Sequence, residues 1–145
     1  MVSREENHQG QIPKALQRIF FHDEAGRWLR WHTDKLWALP TPATALEADG
    51  LWWHLDLPVW PSAPPSKIFD VTPTEVLAAP DAHPAHWQRI AGADLSYPLE
   101  LFESFGKWVI MDGYHRLARH YLERSKVIRV RRHNQALLQA ILRSR

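Results

Sequence analysis

The stretch WVIMDGYHRLARHYLERSKVIRVRR, from Trp108 to Arg132, restricts the possible folds more than any other part of this sequence. Its apolar beginning is typical of a strand, its centre has the apolar spacing of a helix, and its end alternates like a second strand. The segment YPLELFES precedes it across Phe105-Gly106, which predicts a β-hairpin with a tight turn. A hairpin that leads into a helix and one more strand predicts an α+β fold.

The helix in this stretch is predicted to be amphipathic. Its apolar face is expected to contain Tyr114, Leu117, Ala118, Tyr121 and Leu122. In the last strand, KVIRVRR, Ile128 and Val130 are expected on one side and Arg129 and Arg131 on the other.

Other elements are indicated by capping residues and by period. TPTEVLAA predicts a helix with Thr72 and Glu75 as a capping box and Pro73 in its first turn. HPAHWQRIAGAD predicts a short helix that ends near Gly92. Further segments are expected to be a helix in IPKALQRIFF, strands in GRWLRWH, LWWHLDLPVW and KIFDV, and a final helix in NQALLQAILRSR capped by Asn134.

Proline and tryptophan divide the chain. Four of the 11 prolines lie in DLPVWPSAPPSK, which is typical of a stiff extended connector. We therefore predict a Trp-rich N-terminal segment with its linker at residues 1–65 and a second domain at residues 66–145. Six of the eight tryptophans precede the boundary, and they either pack a small aromatic unit or form a surface for stacking a base or a protein partner.

The charge is distributed unevenly along the chain. Residues 1–106 carry 8 Lys and Arg against 14 Asp and Glu, whereas residues 107–145 carry 10 against 2. The C-terminal part therefore has a formal charge of +8 (10 minus 2), which attracts anions such as phosphates or nucleic acid. The chain has no cysteine, which excludes thiol catalysis and thiolate metal sites and fits a cytoplasmic protein. No apolar run is long enough to cross a membrane.

The Asp112-Gly113 turn has the chemistry of an anion site. Asp112 is expected to cap the following helix, and Gly113 lets a ligand approach the backbone closely. The free amides of a helix start favour an anion, Arg116 adds a planar fork of donors, and His115 adds a titratable group. The alternative is that the turn is ordinary and the His-Arg pair is surface decoration. The histidines do not have the spacing of a zinc site, so we predict no structural metal.

These residues also resemble a known family. VIMDGYHRLARHYL and VIRVRR, after DVTPTEVL and DLSYPLEL, look like the ParB/sulfiredoxin-like fold over about residues 68–133. Members of that superfamily have a Pro-Ile strand, a hairpin, and a D/G-G-x-H/R-R turn into a helix. YPLEL stands in the place of the Pro-Ile strand, and Asp112 to Arg116 in the place of the turn.

The resemblance implies roles for particular residues. The turn binds ATP in sulfiredoxin, CTP in ParB, and ADP or ATP in free-serine kinases, which implies nucleotide-phosphate binding by Gly113, Tyr114, His115 and Arg116. The cysteine position of sulfiredoxin is Tyr114 here, so sulfinic acid reduction is excluded. Twelve residues follow His133, fewer than the additional domains of chromosome-partitioning ParB require, so we do not expect that role.

The same resemblance suggests the residues for catalysis and substrate binding. Asp112, His115 and Asp94 are the candidate catalytic groups, and Ser96 and Tyr97 are the candidate substrate contacts beside the turn. Asp81 and His86 lie in the region where the kinase members keep a catalytic carboxylate, and the spacing does not distinguish between them.

Two functions remain open from the sequence. The first is a phosphotransferase that uses ATP or ADP with Mg²⁺ and transfers phosphate to a small hydroxyl metabolite. The second is a module that binds a nucleotide or nucleic acid without chemistry, and a homo-oligomer or a protein partner could form through the Trp-rich segment. In either case we expect only weak, sequence-independent binding to nucleic acid.

Overall fold

A computed structural model describes residues 31–62, 69–104 and 106–142 of the chain. Within these ranges the α-helices are α1 Thr33–Trp37, α2 Pro73–Ala78, α3 Pro84–Ala91, α4 Tyr114–Leu122 and α5 Gln135–Gln139. The strands of the described segments are β1 Ala43–Glu47, β2 Leu99–Ser104, β3 Lys107–Asp112 and β4 Val127–His133, and short 3₁₀ helices occupy Ala48–Gly50, Trp52–Asp56 and Pro80–Ala82. Within these ranges, no helix combines the length and the apolar character needed to cross a membrane.

The strands form one mixed sheet in the order β1-β4-β2-β3. β2 and β3 are antiparallel and form the predicted hairpin, whose turn includes Gly106 with a φ of 77°. Helix α4 then carries the chain across the sheet, so that β4 lies parallel to β2, and β1 pairs antiparallel with the other side of β4. The prediction of an α+β fold is confirmed.

Each face of the sheet is covered by a separate apolar cluster. On one face, Leu99, Leu101 and Ile110 pack beneath helices α2, α3 and α4. On the other face, Phe102 and Val109 pack against residues that include Leu36 of α1 and Leu138 of α5. Because neighbouring residues of a strand point to opposite faces, the apolar residues of β2 and β3 supply both clusters.

The predicted capped helices are confirmed. The Thr72 hydroxyl accepts a hydrogen bond from the Glu75 amide at 3.0 Å, and the Glu75 carboxylate accepts one from the Thr72 amide at 2.7 Å. Asn134 caps α5 through a hydrogen bond of 2.9 Å from the Leu137 amide to its side chain. These helix starts were predictable because every partner lies within three residues in the sequence.

The strand predicted in LWWHLDLPVW is wrong, because Trp52–Asp56 is a 3₁₀ helix. Its three-residue turn places both Leu51 and His54 in the interior. There the His54 ring accepts a hydrogen bond of 3.1 Å from the Ile110 amide on edge strand β3. The segment therefore covers the sheet edge and does not extend it.

The remaining elements predicted before α2 are tested only in part by the structure. In the KIFDV segment, Val71 forms only an isolated bridge with Trp60, and residues 67–68 lie outside the described ranges. The predicted helix in IPKALQRIFF and most of the strand in GRWLRWH also lie outside those ranges. Helix α1 and strand β1 were not predicted, and β1 places residues 43–47 in the same sheet as the C-terminal strands.

The predicted apolar face of α4 is only partly buried. Leu117 and Ala118 are fully enclosed, whereas Tyr121 is 51% exposed and Leu122 is 44% exposed. The last turn of the helix extends beyond the layer that covers its first two turns, so apolar spacing alone overestimated the buried length.

Candidate functional site

The start of α4 differs from the prediction at its first residue. Gly113 is the N-cap, and no side chain among the described residues caps the helix. Asp112, predicted as the cap, instead accepts hydrogen bonds from Trp37 Nε1 at 2.9 Å and Arg116 Nη2 at 3.3 Å. The cause is a register shift between Glu100 and Leu101, which pairs Asp112 with Glu100 and turns its carboxylate towards α1.

Gly113 occupies a position that has no room for a side chain. Its φ is 118°, in the left-handed region that glycine adopts readily. A Cβ atom there would lie 3.0 Å from Leu99 Cγ and 3.1 Å from Arg116 Nη2. The first hydrogen bond of the helix joins the Leu117 amide to the Gly113 carbonyl at 2.8 Å, so the amides between them precede the helical ladder.

Arg116 lies close to this helix start and retains hydrogen-bonding capacity. Its Nη2 donates to the Pro98 carbonyl and to Asp112, both at the long distance of 3.3 Å. Its Nε is buried and has no hydrogen-bond partner among the described residues. A guanidinium has five N–H donors, so these two weak contacts leave most of them available.

Asp94 and Ser96 form a tight turn beside Arg116. The Ser96 amide and hydroxyl donate to Oδ1 of Asp94 at 2.9 and 2.7 Å. The hydrogen bonds from the Ser96 side chain and backbone, together with the positive charge of Arg116, lower the pKa of the exposed Asp94 carboxyl. Asp94 is therefore an ionised carboxylate whose Oδ2 accepts from no described residue. The side chain of the neighbouring Tyr97 is 61% exposed.

The Tyr114 side chain is directed away from Asp94, Ser96 and Arg116. Its hydroxyl donates to the Ile110 carbonyl at 3.0 Å, and its ring meets that of His54 edge-on at 5.8 Å. Burial raises the pKa of the Tyr114 hydroxyl, so the phenol remains protonated. The Tyr114 side chain contributes to the core, and only its backbone amide lies at the helix start.

His115 also packs inward, within an aromatic cluster that the sequence did not indicate. Its ring stacks on Trp60 with a centroid distance of 4.1 Å, and Trp60 stacks on His86 at 4.8 Å. Trp60 was assigned to the Pro-rich linker, so its pairing with helices α3 and α4 had no signal in the sequence. The cluster joins the start of α4 to α3 and to the segment before α2.

Hydrogen bonds define the proton positions in this cluster. His86 Nε2 lies 2.7 Å from the Pro61 carbonyl, which can only accept, so this nitrogen carries a proton. His86 Nδ1 lies 3.2 Å from His115 Nε2, so in the neutral pair His115 donates and its own Nδ1 is unprotonated. Burial, with the charges of Arg89, His86 and Arg116, lowers the pKa of His115 to about 3. His115 is therefore neutral at physiological pH: its Nε2 donates to His86, and its Nδ1 carries no proton.

A second buried polar group lies on the opposite face of the sheet. Glu100 Oε1 is 2.9 Å from Arg131 Nε and 2.6 Å from His133 Nε2, and His133 Nδ1 is 2.7 Å from the Thr41 hydroxyl. Arg131 also donates to backbone carbonyls at the end of α1, those of Leu36, Trp37, Leu39 and Thr41. These bonds attach α1 to the sheet. Strand alternation predicted the face of Arg131 and could not show that α1 covers it.

The described residues also bear on a metal site and on the remaining predicted site residues. No group of three or more His, Cys, Asp or Glu side chains within the described ranges is arranged to hold a metal ion. The structure brings Asp94, Ser96, Asp112 and Arg116 to the start of α4, whereas Asp81 lies exposed in the 3₁₀ helix Pro80–Ala82.

Comparisons with known proteins return no relative. No family model matches the chain, and neither the curated proteins nor the solved structures contain a match to it. The functional argument consequently depends on the geometry of the site.

Proposed function

We propose that the start of α4 binds the phosphate groups of a nucleotide, ATP or ADP in the first instance. The observation that carries this proposal is the Arg116 guanidinium, with an unpaired buried Nε, beside an uncapped helix start. Free amides and the helix dipole favour an anion at this position, and guanidinium donors complement phosphate oxygens. Gly113 supports the proposal because the absence of a side chain lets the Arg116 guanidinium lie directly against the helix start.

The arrangement of charges agrees with an anionic ligand. Arg116 and Arg89 both act on His115 strongly enough to lower its pKa, so two positive charges lie near the first turn. The Asp112 carboxylate offsets part of the Arg116 charge at 3.3 Å, in a pair that is partly exposed. A phosphate with two or more negative charges competes well with a single, long carboxylate contact. We infer that ligand binding displaces Arg116 from Asp112.

The finer proposal is phosphate transfer to a small hydroxyl compound. Asp94 has an ionised carboxylate with a free Oδ2, which suits it to orient an acceptor hydroxyl, and Ser96 holds its other oxygen in place. The exposed Tyr97 ring would form a wall of the acceptor site. Mg²⁺ bound with the nucleotide would supply charge neutralisation of the phosphates. Asp94 Oδ2 and Asp112 Oδ1 are the carboxylate oxygens here without a donor among the described residues, and one or two such ligands match the preference of Mg²⁺.

A non-catalytic module is the second candidate. The observation that favours it is the position of His115, whose ring is stacked on Trp60 and bonded to His86. With Tyr114 also buried, Asp94 is the principal group left for chemistry. In this case the pocket binds a nucleotide, or the phosphate of a nucleic acid, without turnover. The resemblance to the ParB/sulfiredoxin-like fold agrees with either candidate.

A thermal-shift panel with ATP, ADP, CTP and GTP, with and without Mg²⁺, tests the common part of the proposal. A ligand that binds the native state at 100 times its Kd stabilises it by about 2.7 kcal/mol and raises the melting temperature. We expect ATP or ADP to produce such a rise, and Arg116→Ala to abolish it. Arg129→Ala is the matched control, because it removes one positive charge from an exposed residue of β4 that lies away from the start of α4. Equal nucleotide binding by parent and Arg116→Ala would remove the pocket from this account.

Turnover distinguishes the two candidates. A phosphotransferase incubated with ATP, Mg²⁺ and a mixture of hydroxyl metabolites should release ADP faster than it does without the acceptors. Asp94→Asn should retain nucleotide binding and lose this release, since the amide cannot accept the hydroxyl proton. If no acceptor in a broad panel promotes release, the binding module becomes the preferred function.

Nucleic acid binding is expected to be weak and independent of sequence. The basic residues of the C-terminal part are distributed over several faces, since Arg116 lies at the pocket while Arg131 is bonded to Glu100 and to α1. A titration against varied duplexes at about 150 mM salt should give a Kd of about 10⁻⁴–10⁻⁶ M that weakens as salt rises. Tight, selective binding would instead identify a nucleic-acid-binding module.

A further inference from the structure

The end of α4 forms a cavity that is separate from the start of the helix. It is lined by Trp52, Tyr121, Leu122, Arg124 and Ser125 and has a volume of about 450 Å³. We call it the α4-end cavity. The rings of Trp52 and Tyr121 meet edge-on at a centroid distance of 5.5 Å, and Tyr121 and Leu122 are both substantially exposed. The volume lies in the range of small-molecule sites, and aromatic walls of this kind are typical of them.

The residue that ends the helix is unusual for its backbone conformation. Arg124 has a φ of 57°, and it is the only described residue other than glycine with a positive φ. The Ser125 amide donates to the His120 carbonyl at 3.0 Å and the Arg124 amide to the Tyr121 carbonyl at 3.1 Å. This pair of bonds is the common helix ending in which glycine normally occupies the left-handed position. An arginine that fills the position and lines a cavity indicates that its side chain has a use there.

The Ser125 hydroxyl, the second polar group of the cavity, is also a hydrogen-bond donor. Ser125 Oγ lies 2.9 Å from His120 Nδ1, and His120 Nε2 is buried without a partner in the described part of the chain. An unpaired acceptor is tolerated more readily than an unpaired N–H, which favours the tautomer with its proton on Nδ1. His120 then donates to Ser125, and the hydroxyl hydrogen of Ser125 is free to donate into the cavity.

The polar groups of the cavity therefore present donors and a positive charge. The nearest acidic side chain in sequence, Glu123, is paired with Arg119 at 2.9 Å on the exposed side of α4. Lys126, which follows the lining residues, adds a further exposed positive charge. Two aromatic rings, a guanidinium and a free hydroxyl complement a ligand that has a flat apolar body and an anionic end.

We propose that the α4-end cavity binds a small aromatic carboxylate. The ring of the ligand packs against Trp52 and Tyr121, and its carboxylate accepts hydrogen bonds from Arg124 and Ser125. This inference does not depend on the proposed function, because none of these residues lies at the start of α4.

Arg124→Gly provides a decisive variant, because its effects on folding and on binding have opposite signs. Glycine relieves the left-handed strain, so the variant should fold and melt at a higher temperature than the parent. By calorimetry, the parent should bind 2-naphthoate, and Arg124→Gly should bind it about tenfold or more weakly, the loss typical of one charge-assisted hydrogen bond. The uncharged 2-naphthamide should bind both proteins weakly and to the same extent, and Arg116→Ala should bind 2-naphthoate like the parent.

Three results would overturn the proposal. They are no measurable binding of 2-naphthoate by the parent, equal binding of 2-naphthoate and 2-naphthamide, and unchanged 2-naphthoate binding by Arg124→Gly. A loss of binding in Arg116→Ala would place the ligand at the start of the helix and would also count against the α4-end cavity.

Discussion

The two ends of α4 have the same backbone conformation for different reasons. Gly113 at the start and Arg124 beyond the end both have a positive φ, of 118° and 57°. At the start, a side chain is excluded because Leu99 and Arg116 occupy the space where a Cβ would lie. At the end, a long side chain is present despite its conformational cost. A left-handed residue thus marks a steric requirement at the start of α4, whereas at its end we propose that it marks a chemical one.

The electrostatics of the two ends of α4 also differ in how much the backbone and the side chains contribute. The start of a helix favours anions through its free amides, so Arg116 reinforces a property that the backbone already has. The end of a helix carries a partial negative charge and therefore favours cations. The positive charge of Arg124 must first offset this partial charge before Arg124 can attract an anion. We conclude that anion binding at the start would depend on backbone and side chain together, whereas at the end it would depend on side chains alone.

The largest expected effect comes from Gly113→Ala, which should lower the free energy of unfolding by about 2–5 kcal/mol. The left-handed conformation costs about 1–2 kcal/mol, and the clash with the buried Leu99 adds overpacking of about 1–3 kcal/mol. Urea denaturation measures this change. Gly106→Ala is the matched control, since Gly106 also has a positive φ but no atom of the described part of the chain lies within 4 Å of the added Cβ. Equal losses for the two variants would contradict the steric account of Gly113.

A second prediction concerns pH at the start of α4. Because the pKa of His115 is lowered to about 3, the unfolded chain binds a proton that the folded chain does not bind between about pH 6.5 and pH 3. Stability should therefore fall with decreasing pH across this window, by up to about 1.4 kcal/mol per unit for this residue. From pH 6.5 to pH 5 the loss attributable to His115 is up to about 2 kcal/mol.

His54 contributes in an overlapping window, because burial lowers its pKa to about 4. His115→Phe should consequently retain part of the pH dependence and lose the His115 share, which urea denaturation at several pH values can measure. A variant with the same slope as the parent would show that His115 is protonated in the folded state, contrary to the proton assignment in its pair with His86.

At the other end of the helix, Arg124→Gly should raise the free energy of unfolding by about 1 kcal/mol. The gain comes from the removal of left-handed strain in a residue with a side chain. Arg119→Gly is a useful contrast, since it places glycine within the helix and removes the pair with Glu123, so it should destabilise the protein by about 1 kcal/mol. If Arg124→Gly were destabilising, the arginine would serve the fold and not a ligand.

The smallest expected change in stability belongs to Arg116→Ala, at about 0.5 kcal/mol or less. Its contacts to Asp112 and Pro98 are long and partly exposed, and pairs of this kind contribute little. The same denaturation experiment measures it beside Gly113→Ala. A loss of several kcal/mol would show that Arg116 serves to hold the turn together, and the phosphate assignment would lose its main support.

Local rules predicted a large part of the fold. The capping box at Thr72, the cap at Asn134, the β2–β3 hairpin, helix α4 and strand β4 all depend on residues close together in the sequence. Helix α1 and strand β1 were missed because they are short and have weak periodicity, and their stability comes from pairing with β4 and from the bonds to Arg131.

The chemical character of the candidate site was determined by the sequence alone, since Asp-Gly followed by His-Arg between a strand and a helix brings a bare backbone and a positive charge to a helix start. Tertiary structure decided which of these groups is available. A bulge took Asp112 out of the capping position and towards Trp37, and the distant Trp60 and His86 engaged His115. It also decided that Arg124 lines a cavity with Trp52, about 70 positions away in the chain. Local patterns specify backbone geometry within a few residues, whereas the burial, proton position and partners of a side chain are fixed only when distant segments pack around it.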